Sequence, residues 1–454
     1  MLRRLETDIE TARRTFTDTR WGYMRYTAAP RLRSARHRPL RRFSLTLLAA
    51  TSALLVSVAA CGSDDAETPA AGGTTTDANV LGSVDEAAGD PVKIGIISDG
   101  RSATVDNSAQ FDVAEATAKW LNERKGGIGG RPIKLVTCET LNDPAKGTDC
   151  GNQMIENEVV AVAVAESGVV ESVAQPLADA NVPAMFFGSG NQTLLSDPES
   201  TYLLGDPTFA TLSMPISVAK DKGVEKVTEV VIDVPAALDQ QRIAPARYED
   251  AGLDYEVVPV APGTADMTPQ MQNVVDGDPG VVFVVGNDSF CISAFNGLRA
   301  VGYDGTITAI SQCITPATRE AVPADELSGM VVSAITPGGG TDPSSVLYGT
   351  VMDAYGDDID LEDTSPRTMF ISLSGLQAAL AGISGEITQE TVNATIKAMP
   401  EIELPGAAGL RFRCNGKASP DYPAVCVRGG LSTTLNDEGK IQEFRVIGYS
   451  PIED

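Results

Sequence analysis

Seven cysteines carry the most distinctive side-chain chemistry in this 454-residue chain. Cys61 follows an apolar segment, and the other six are Cys138, Cys150, Cys291, Cys313, Cys414 and Cys426. The chain has no C-x-x-C spacing of the kind found in zinc sites, so we expect no bound metal. An even number of cysteines in an exported chain predicts disulfides, although six cysteines allow many connectivities. Proximity in sequence favours the pairs Cys138–Cys150, Cys291–Cys313 and Cys414–Cys426.

Histidine, the side chain most often used as a general base, occurs only once. That residue, His37, lies in a basic N-terminal segment. The rest of the chain therefore has no Ser-His or Cys-His nucleophile pair and no His-ligated zinc site. No Gly-x-Ser-x-Gly elbow occurs, and the glycines of Gly126–Gly130 follow a helical stretch, the reverse of the order in a phosphate-binding loop. We expect a protein that is not an enzyme and holds no cofactor.

The first 60 residues have the layout of a secretory signal. Four arginines precede the uncharged segment Phe43–Ala60, namely Arg36, Arg38, Arg41 and Arg42. The segment ends in small residues, and Cys61 follows at once. This arrangement resembles a bacterial lipobox, so we predict a signal peptide over residues 1–60 and a lipid anchor on Cys61. The alternative is that Phe43–Ala60 is a transmembrane helix, for which it is barely long enough and lacks a basic stop-transfer cluster.

Composition changes sharply after the predicted anchor. Residues 62–90 are rich in Gly, Ala, Thr and Asp, which predicts a flexible linker over residues 61–90. Residues 1–60 hold 12 of the 35 Lys and Arg and 4 of the 61 Asp and Glu, so the remainder has a net charge of −34. Such a surface repels nucleic acid and anionic lipid headgroups. We expect no nucleic-acid partner and membrane contact only through the lipid.

From Pro91 onward, short β-branched runs alternate with amphipathic stretches, which predicts an α/β fold. Runs such as Gly280–Val285 are apolar on both faces, as the strands of a parallel sheet require. About nine runs precede residue 336, too many for one Rossmann-like sheet. We therefore predict two sheets in two lobes, with a break near Thr201–Pro215. The runs are Val92–Ile97, Ile133–Thr137, Val159–Val164, Pro183–Phe187, Lys226–Ile232, Asp254–Val260, Gly280–Val285, Thr306–Ile310 and Met330–Ile335.

Beyond residue 336, three helical stretches are followed by a β-rich tail. The predicted helices are Pro343–Tyr355, Arg367–Ala381 and Thr388–Met399. The predicted strands of the tail are Arg411–Cys414, Ala424–Val427 and Lys440–Tyr449.

Several of these segments resemble the leucine/isoleucine/valine-type (type I) substrate-binding proteins of ABC importers. The resemblance is carried by Ile94–Ile97, by the helix-to-strand passage Trp120–Val136, by the strand-to-loop passage Gln175–Asn191 and by Leu298–Gly305 with Tyr303. It extends over about residues 91–400. Cys138 and Cys150 stand where that family often carries a disulfide.

The resemblance implies two Rossmann-like lobes with parallel central sheets, joined by crossover hinge strands, with the ligand in the cleft between them. The implied division is 91–213 for the first part of lobe 1, 214–336 for the first part of lobe 2, 337–405 for the second part of lobe 1, and 406–454 for C-terminal strands mostly in lobe 2. Ligands of open α/β sheets bind at the carboxyl ends of strands.

By match to the family, two loops of lobe 1 clamp the polar end of the ligand. The implied contacts there are Ser189 and Asn191, followed by Ser167, Gly168 and Ser172. The competing interpretation for each serine or asparagine is a loop residue that caps the next helix. In lobe 2 the implied contacts are Asn287, Asp288 and Gln312.

Lobe 2 departs from the amino-acid binders of the family. Ala237 or Leu238 stands in place of a tyrosine, Gly286-Asn287-Asp288 in place of an aromatic residue, and Gln312-Cys313 in place of the glutamate that holds a ligand ammonium. These departures argue against branched-chain amino acids. They favour a polar, neutral or carboxylate ligand.

Together with the lipobox-like segment before Cys61, the resemblance implies an extracytoplasmic lipoprotein on the outer face of the cytoplasmic membrane. It would capture a small polar solute (an amino acid, an amide or an organic acid) as a monomer and deliver it to the permease subunits of an ABC importer. The alternatives are a ligand-sensing receptor module without transport, which the same fold permits, and a lipid-anchored hydrolase.

Overall fold

A computed structural model describes residues 80–102, 106–238, 243–338, 342–361 and 363–454. The predicted signal peptide, Cys61 and most of the predicted linker lie outside these residues. Within the described ranges, no helix is both long enough and apolar enough to cross a membrane.

Five parallel strands form the first sheet, in the order β2-β1-β3-β4-β5. The central strand β3 is buried at every residue, which explains its continuous apolar sequence. We call this sheet and the helices packed on it lobe 1. Its strands are β1 (Val92–Ser98), β2 (Ile133–Glu139), β3 (Ala161–Val164), β4 (Ala184–Phe186) and β5 (Thr201–Leu203).

Helices from two separate parts of the chain cover the first sheet. Those between its strands are α1 (Ala109–Arg124), α2 (Pro144–Glu156), α3 (Val170–Asp179) and α4 (Gln192–Leu195). The packing of two later helices against α1 places them in lobe 1, although they follow the second sheet in sequence. Those two helices correspond to Pro343–Tyr355 and Ser365–Ala379.

Seven strands form the second sheet, in the order β14-β13-β10-β9-β8-β6-β7. The five strands from β6 to β10 are parallel, whereas β13 and β14 are antiparallel. Alternate residues of β8 enter two apolar clusters, one containing Phe283 and the other Val284, because successive side chains of a strand point to opposite faces. We call this sheet and its helices lobe 2. Its strands are β6 (Lys226–Ile232), β7 (Asp254–Val260), β8 (Val281–Val285), β9 (Ile307–Ala309), β10 (Val331–Ala334), β13 (Gly430–Leu435) and β14 (Ile441–Ile447).

The remaining elements complete the two lobes. A π-helical turn, Phe209–Ser213, leads into α5, and a 3-10 turn, Ser311–Cys313, follows β9. The small sheet β11-β12 joins Ile402–Glu403 to Arg411–Phe412. The helices are α5 (Met214–Lys222), α6 (Pro235–Leu238), α7 (Ala244–Asp250), α8 (Thr268–Asp276), α9 (Asp288–Ala300), α10 (Pro316–Ala321), α11 (Ala324–Leu327), α12 (Pro343–Tyr355), α13 (Ser365–Ala379) and α14 (Gln389–Ala398).

The predicted α/β class with two parallel central sheets is confirmed. Three strands were missed, because β5 has only three residues, β11 has only two, and β13 is rich in Ser and Thr. The predicted strand Ala424–Val427 is wrong, since this stretch makes only isolated bridges to Leu203 and Phe412. Its backbone is shared between two short neighbours, so no ladder develops.

The end of the predicted flexible linker packs against lobe 1. Leu81 is buried, and its carbonyl oxygen accepts a hydrogen bond from Trp120 Nε1 at 3.0 Å. The amides of Asp85 and Ala87 donate to the carbonyl oxygens of Glu123 and Asn122 at the C-terminus of α1. The prediction of a free linker as far as residue 90 is therefore wrong for its last ten residues or so, because their backbone finds fixed partners.

Three disulfides confirm the pairing favoured by sequence proximity. Cys138–Cys150 joins β2 to α2, and Cys291–Cys313 joins α9 to the 3-10 turn after β9. Cys414–Cys426 closes the loop that leads toward β13.

Candidate functional site

A cavity of 440 Å³ lies between the two sheets and is lined from both. On the side of lobe 1, its wall includes the segments that follow three parallel strands and Ile371 of α13. Glu166 follows β3, Phe187–Gly190 follows β4 and Leu204–Pro207 follows β5. The carboxyl ends of parallel strands meet at one edge of a sheet, which is why these segments lie together.

Lobe 2 supplies the facing wall from three neighbouring strands. Ser311 and Gln312 follow β9, Ser333 and Ala334 end β10, and Ile335 follows it. Because β13 is antiparallel to β10, its first residues reach the same edge, with Leu431 opposite Ala334. The Ser311 amide donates to Ser333 Oγ at 3.1 Å and thereby ties the ends of β9 and β10 together.

The chain crosses between the sheets beside this cavity. One crossing leads from β5 through Leu204–Pro207 to the π-helical turn, and another enters β13 through Gly429 and Gly430. A Cβ atom on Gly430 would lie 2.5 Å from the ring of Phe209, so the two crossings are in tight contact. Any relative movement of the lobes must act on these segments.

Apolar side chains form most of the described wall, and the only charged side chains in it are two carboxylates. The polar side chains are Glu166, Ser189, Asp206, Ser311, Gln312 and Ser333. Glycines occupy positions 188, 190, 205, 429 and 430. The remaining residues are Phe187, Leu204, Pro207, Phe209, Ala210, Ala334, Ile335, Ile371, Leu404, Ala407, Leu410 and Leu431.

The two carboxylates are partly buried. Burial raises the pKa of the Glu166 carboxyl, and the like charge of Asp363 raises it further. Burial also raises the pKa of the Asp206 carboxyl, against the opposing effect of hydrogen bonds from Thr208. Both groups are thus more costly to ionise in the folded protein than in water.

A third carboxylate, that of Asp99, holds the loop that carries Glu166. Asp99 directly follows β1 and is buried. Its Oδ1 accepts hydrogen bonds from Thr140 Oγ1 and Ser167 Oγ, both at 2.6 Å, and its Oδ2 accepts one from the Gly168 amide at 2.8 Å. Asp99 therefore connects the ends of β1, β2 and β3 and positions the 166–168 loop at the cavity.

Two of the predicted contacts, Ser189 and Gln312, line the cavity. Ser167 and Gly168 lie beside it in the loop held by Asp99. Ser189 Oγ also accepts a hydrogen bond from the Asn191 amide at 3.0 Å.

The other four predicted contacts are outside the described lining. Asn191 and Asn287 are the N-caps of α4 and α9, and their Oδ1 atoms accept backbone amides of those helices. Asp288 Oδ2 accepts a hydrogen bond from Thr315 Oγ1 at 3.5 Å. Ser172 lies on α3 and faces α2. A Cβ atom added to Gly147 of α2 would lie 3.1 Å from the Cβ atom of Ser172.

Sequence reasoning did not single out Glu166, Asp206, Ser333 or Asp99. Glu166 and Asp99 carried a usable signal, because each is an acidic residue within two positions of the end of a buried strand. Asp206 carried a weaker sequence signal, since the strand before it, β5, was itself not predicted. Ser333 lies within its strand, so only the pairing of β10 with its neighbours places it at the cavity.

Comparisons with known proteins agree with this architecture. The sequence model of a family described as periplasmic binding protein matches residues 91–431. A protein described as Leu/Ile/Val-binding protein homolog 6, from Brucella suis biovar 1, is 24% identical over 193 residues, which cover 40% of this chain and 50% of that protein. The chain thus aligns with about half the length of the curated relatives it matches.

Two solved structures have similar folds. An ABC transporter substrate-binding protein from Sphaerobacter thermophilus has a TM-score of 0.58 and 19% identity, over 80% of this chain and 98% of that one. The branched-chain amino acid transporter substrate-binding protein LivJ from Streptococcus pneumoniae, in complex with isoleucine, has a TM-score of 0.53 and 15% identity, over 79% and 99% respectively. At these sequence identities, the similarity of the two structures to this chain shows the fold alone.

Proposed function

The chain belongs to the type I periplasmic binding protein family, and on that premise we propose that it is an extracytoplasmic lipoprotein that captures a small solute and delivers it to an ABC importer. The family consists of binding proteins. The single histidine of this chain agrees with that role, because histidine is the side chain most often used as a general base in enzymes. We propose that this chain releases its solute chemically unchanged.

The observation that carries the proposal is the cavity between the sheets. Its wall is contributed by strand ends of both lobes and by the crossing segments around Leu204–Pro207 and Gly429–Gly430. A ligand that contacts both walls binds the closed arrangement better than the open one, and this difference drives closure. The closed form is then what a permease recognises.

Within this cavity, we propose Ser189 and Gln312 as ligand contacts from opposite lobes. A hydroxyl and a carboxamide can each donate and accept hydrogen bonds, so both suit a polar group on a small solute. Asn191, Asn287, Asp288 and Ser172 have other partners or positions in the described structure, and their contact with ligand stays a prediction. Ser167 and Gly168 are proposed to act by shaping the loop beside Glu166.

The anchor and the partners are proposed on the sequence. Lipidation of Cys61 would hold the protein on the outer face of the membrane, with a linker that ends where residue 81 docks on α1. We propose that the protein acts as a monomer and meets the permease subunits of an importer. Replacement of Cys61 by serine should release the protein from the membrane fraction.

A thermal-shift screen tests the binding function. The purified protein is heated with amino acids, amides, amines, organic acids and small sugars. A ligand present at about 100 times its dissociation constant should stabilise the protein by about 2.7 kcal/mol. Ser189→Ala and Gln312→Ala should weaken that shift, whereas Ser384→Ala, an exposed position outside the described cavity wall, should not. Turnover of the bound compound would contradict the proposal and favour a hydrolase.

A further inference from the structure

We infer that the solute captured in this cleft is an organic cation, an amine with an apolar body, whose positive group is neutralised by the carboxylates of Glu166 and Asp206. This inference rests on the proposed binding function and specifies the class of ligand. It differs from the expectation of a neutral or carboxylate ligand that the matched positions of lobe 2 suggested.

The charged side chains in the described wall are all negative. Among the described residues that line the cavity, two are acidic and none is Lys, Arg or His. The nearby Arg247 lowers the pKa of Asp206, but it forms an ion pair with Asp421 and is not part of the described lining. An anionic solute would therefore meet two like charges and no cation in the described wall, and such an arrangement discriminates against it.

Both carboxylates have unused hydrogen-bonding capacity among the described residues. The contacts of Glu166 within the described structure involve its backbone, with the amide donating to Thr368 Oγ1 and the carbonyl oxygen accepting from Gln110 Nε2. Asp206 uses Oδ1 to accept from the Thr208 amide and hydroxyl, at 2.9 and 2.7 Å. Its Oδ2 has no hydrogen bond from the described residues.

Neither carboxylate has an ion-pair partner among the described residues, and burial raises the pKa of both groups. A partly buried carboxylate of this kind is costly to the folded protein. Asp363 adds a further negative charge near Glu166. A ligand ammonium would supply the missing donors and the missing positive charge together, and hydrogen bonds between charged groups are the stronger kind. The features that make this site unfavourable when empty are those that would favour a cation.

The remaining wall of the cavity is largely apolar. Phe187 and Phe209 contribute aromatic rings, and Leu204, Ile371 and Leu410 contribute aliphatic surface. Aromatic faces attract organic cations, and the aliphatic groups gain from covering an apolar body. A negative protein surface, with a net charge of −34 beyond residue 60, also raises the local concentration of cations.

Matched compounds that share one apolar body and differ in charge provide the test. Phenethylamine, phenethyl alcohol, phenylacetate and phenylalanine form one such series, and butylamine, butanol, butyrate and norvaline form an aliphatic one. Tetramethylammonium probes cation binding without N–H donors. Binding of the purified protein is measured by titration calorimetry at low and high salt. We expect at least one amine to bind more tightly than its carboxylate partner, with an affinity that falls as salt increases.

Two isosteric variants assign the effect to the residues. Glu166→Gln and Asp206→Asn should each weaken amine binding by about 10-fold or more, the range of one charge-assisted hydrogen bond. Neither should weaken binding of the alcohol to the same extent. Asp149→Asn, at an exposed position of α2, is the matched control and should leave the affinity unchanged. If Asp206→Asn fails to fold, the Glu166→Gln comparison and the salt dependence decide the matter.

The outcomes separate this inference from the proposed function. Binding of a carboxylate, an alcohol, a zwitterionic amino acid or a sugar in preference to every amine would overturn the inference and leave the binding function intact. Amine binding that is unchanged in both Glu166→Gln and Asp206→Asn would also overturn it. No saturable binding of any compound in the series or in the wider screen would count against the proposed function itself.

Discussion

Replacement of Asp99 by asparagine should loosen the loop that carries Glu166, and the structure indicates by how much. Asp99 is 1% exposed and accepts three hydrogen bonds, from Thr140 Oγ1, Ser167 Oγ and the Gly168 amide. Asparagine keeps the shape of the side chain but has only one acceptor atom. Its Oδ1 can still accept the two hydroxyl groups, and its Nδ2 then faces the Gly168 amide, so that two donors oppose each other.

The size of the effect follows from that opposition. A donor left without an acceptor costs about 1–3 kcal/mol in the free energy of unfolding. The two hydroxyl bonds also change from charged to neutral acceptors, which weakens each. We therefore expect Asp99→Asn to destabilise the protein by about 1–3 kcal/mol. Asp99→Ala, which removes all three acceptors, should cost more.

Trp120 offers a local probe of this change, because it is buried in lobe 1 and the only other tryptophan is Trp21. Once the proposed signal peptide of residues 1–60 has been removed, Trp120 is the only tryptophan, and urea unfolding followed by indole fluorescence reports on lobe 1. Amide hydrogen exchange of residues 166–169 should accelerate in Asp99→Asn. The control is Asp149→Asn, the same chemical change at an exposed position of α2.

The reasoning would be refuted by an Asp99→Asn protein that unfolds within about 0.5 kcal/mol of the Asp149→Asn control and shows unchanged exchange in the loop. A double-mutant cycle with Ser167→Ala adds a second criterion. Residues that share a hydrogen bond should show a coupling energy of about 0.5 kcal/mol or more. Strict additivity would mean that Asp99 does not position this loop.

Three further predictions concern stability. Because burial raises the pKa of Glu166, the contribution of this carboxyl to the free energy of unfolding is favourable at low pH and is lost as pH rises through the folded-state pKa. Glu166→Gln should therefore raise the melting temperature at neutral pH, with a gain that shrinks toward about pH 4. A gain that stays constant across a pH series would contradict this. Gly430→Ala should destabilise the protein by about 1–3 kcal/mol, since the new Cβ would lie 2.5 Å from the Phe209 ring. The control Gly190→Ala, whose new Cβ would have no atom within 4 Å, should be nearly neutral in thermal unfolding. Equal effects of the two substitutions would exclude overpacking as the cause. Cys138 and Cys150 are 12 residues apart, and replacing both by alanine should lower the free energy of unfolding in urea by about 3 kcal/mol. A loss below about 1 kcal/mol would show that the loop between them is already ordered in the unfolded chain.

Much of the fold was predictable because its strands are buried on both faces. In β3 and β8 every residue is buried, so the apolar run in the sequence marks the whole strand. The strand β13 was missed for the opposite reason. Its Ser432 and Thr433 are buried polar residues that hydrogen bond within a sheet assembled from distant segments. Local hydropathy does not contain that information.

The candidate site was predictable only in part. The match to a known family led to Ser189 and Gln312, which line the cavity. The same match led to Asn191 and Asn287, which cap helices in the structure. Asn is a preferred N-cap and also a common ligand contact, so residue type alone does not separate the two roles. The separation required the position of each loop relative to the opposite lobe.

The sequence by itself determined the α/β class, the division into two parallel sheets and the three disulfides between near neighbours. These features depend on periodicity and on short separations along the chain. Only the tertiary structure decided which strand ends face each other across the cavity, and hence that Glu166 and Asp206 line one cavity with Ser311 and Ser333. The physical reason is that strand order and the crossings between the lobes bring together residues far apart in sequence, and neither is encoded in the local pattern around any of them.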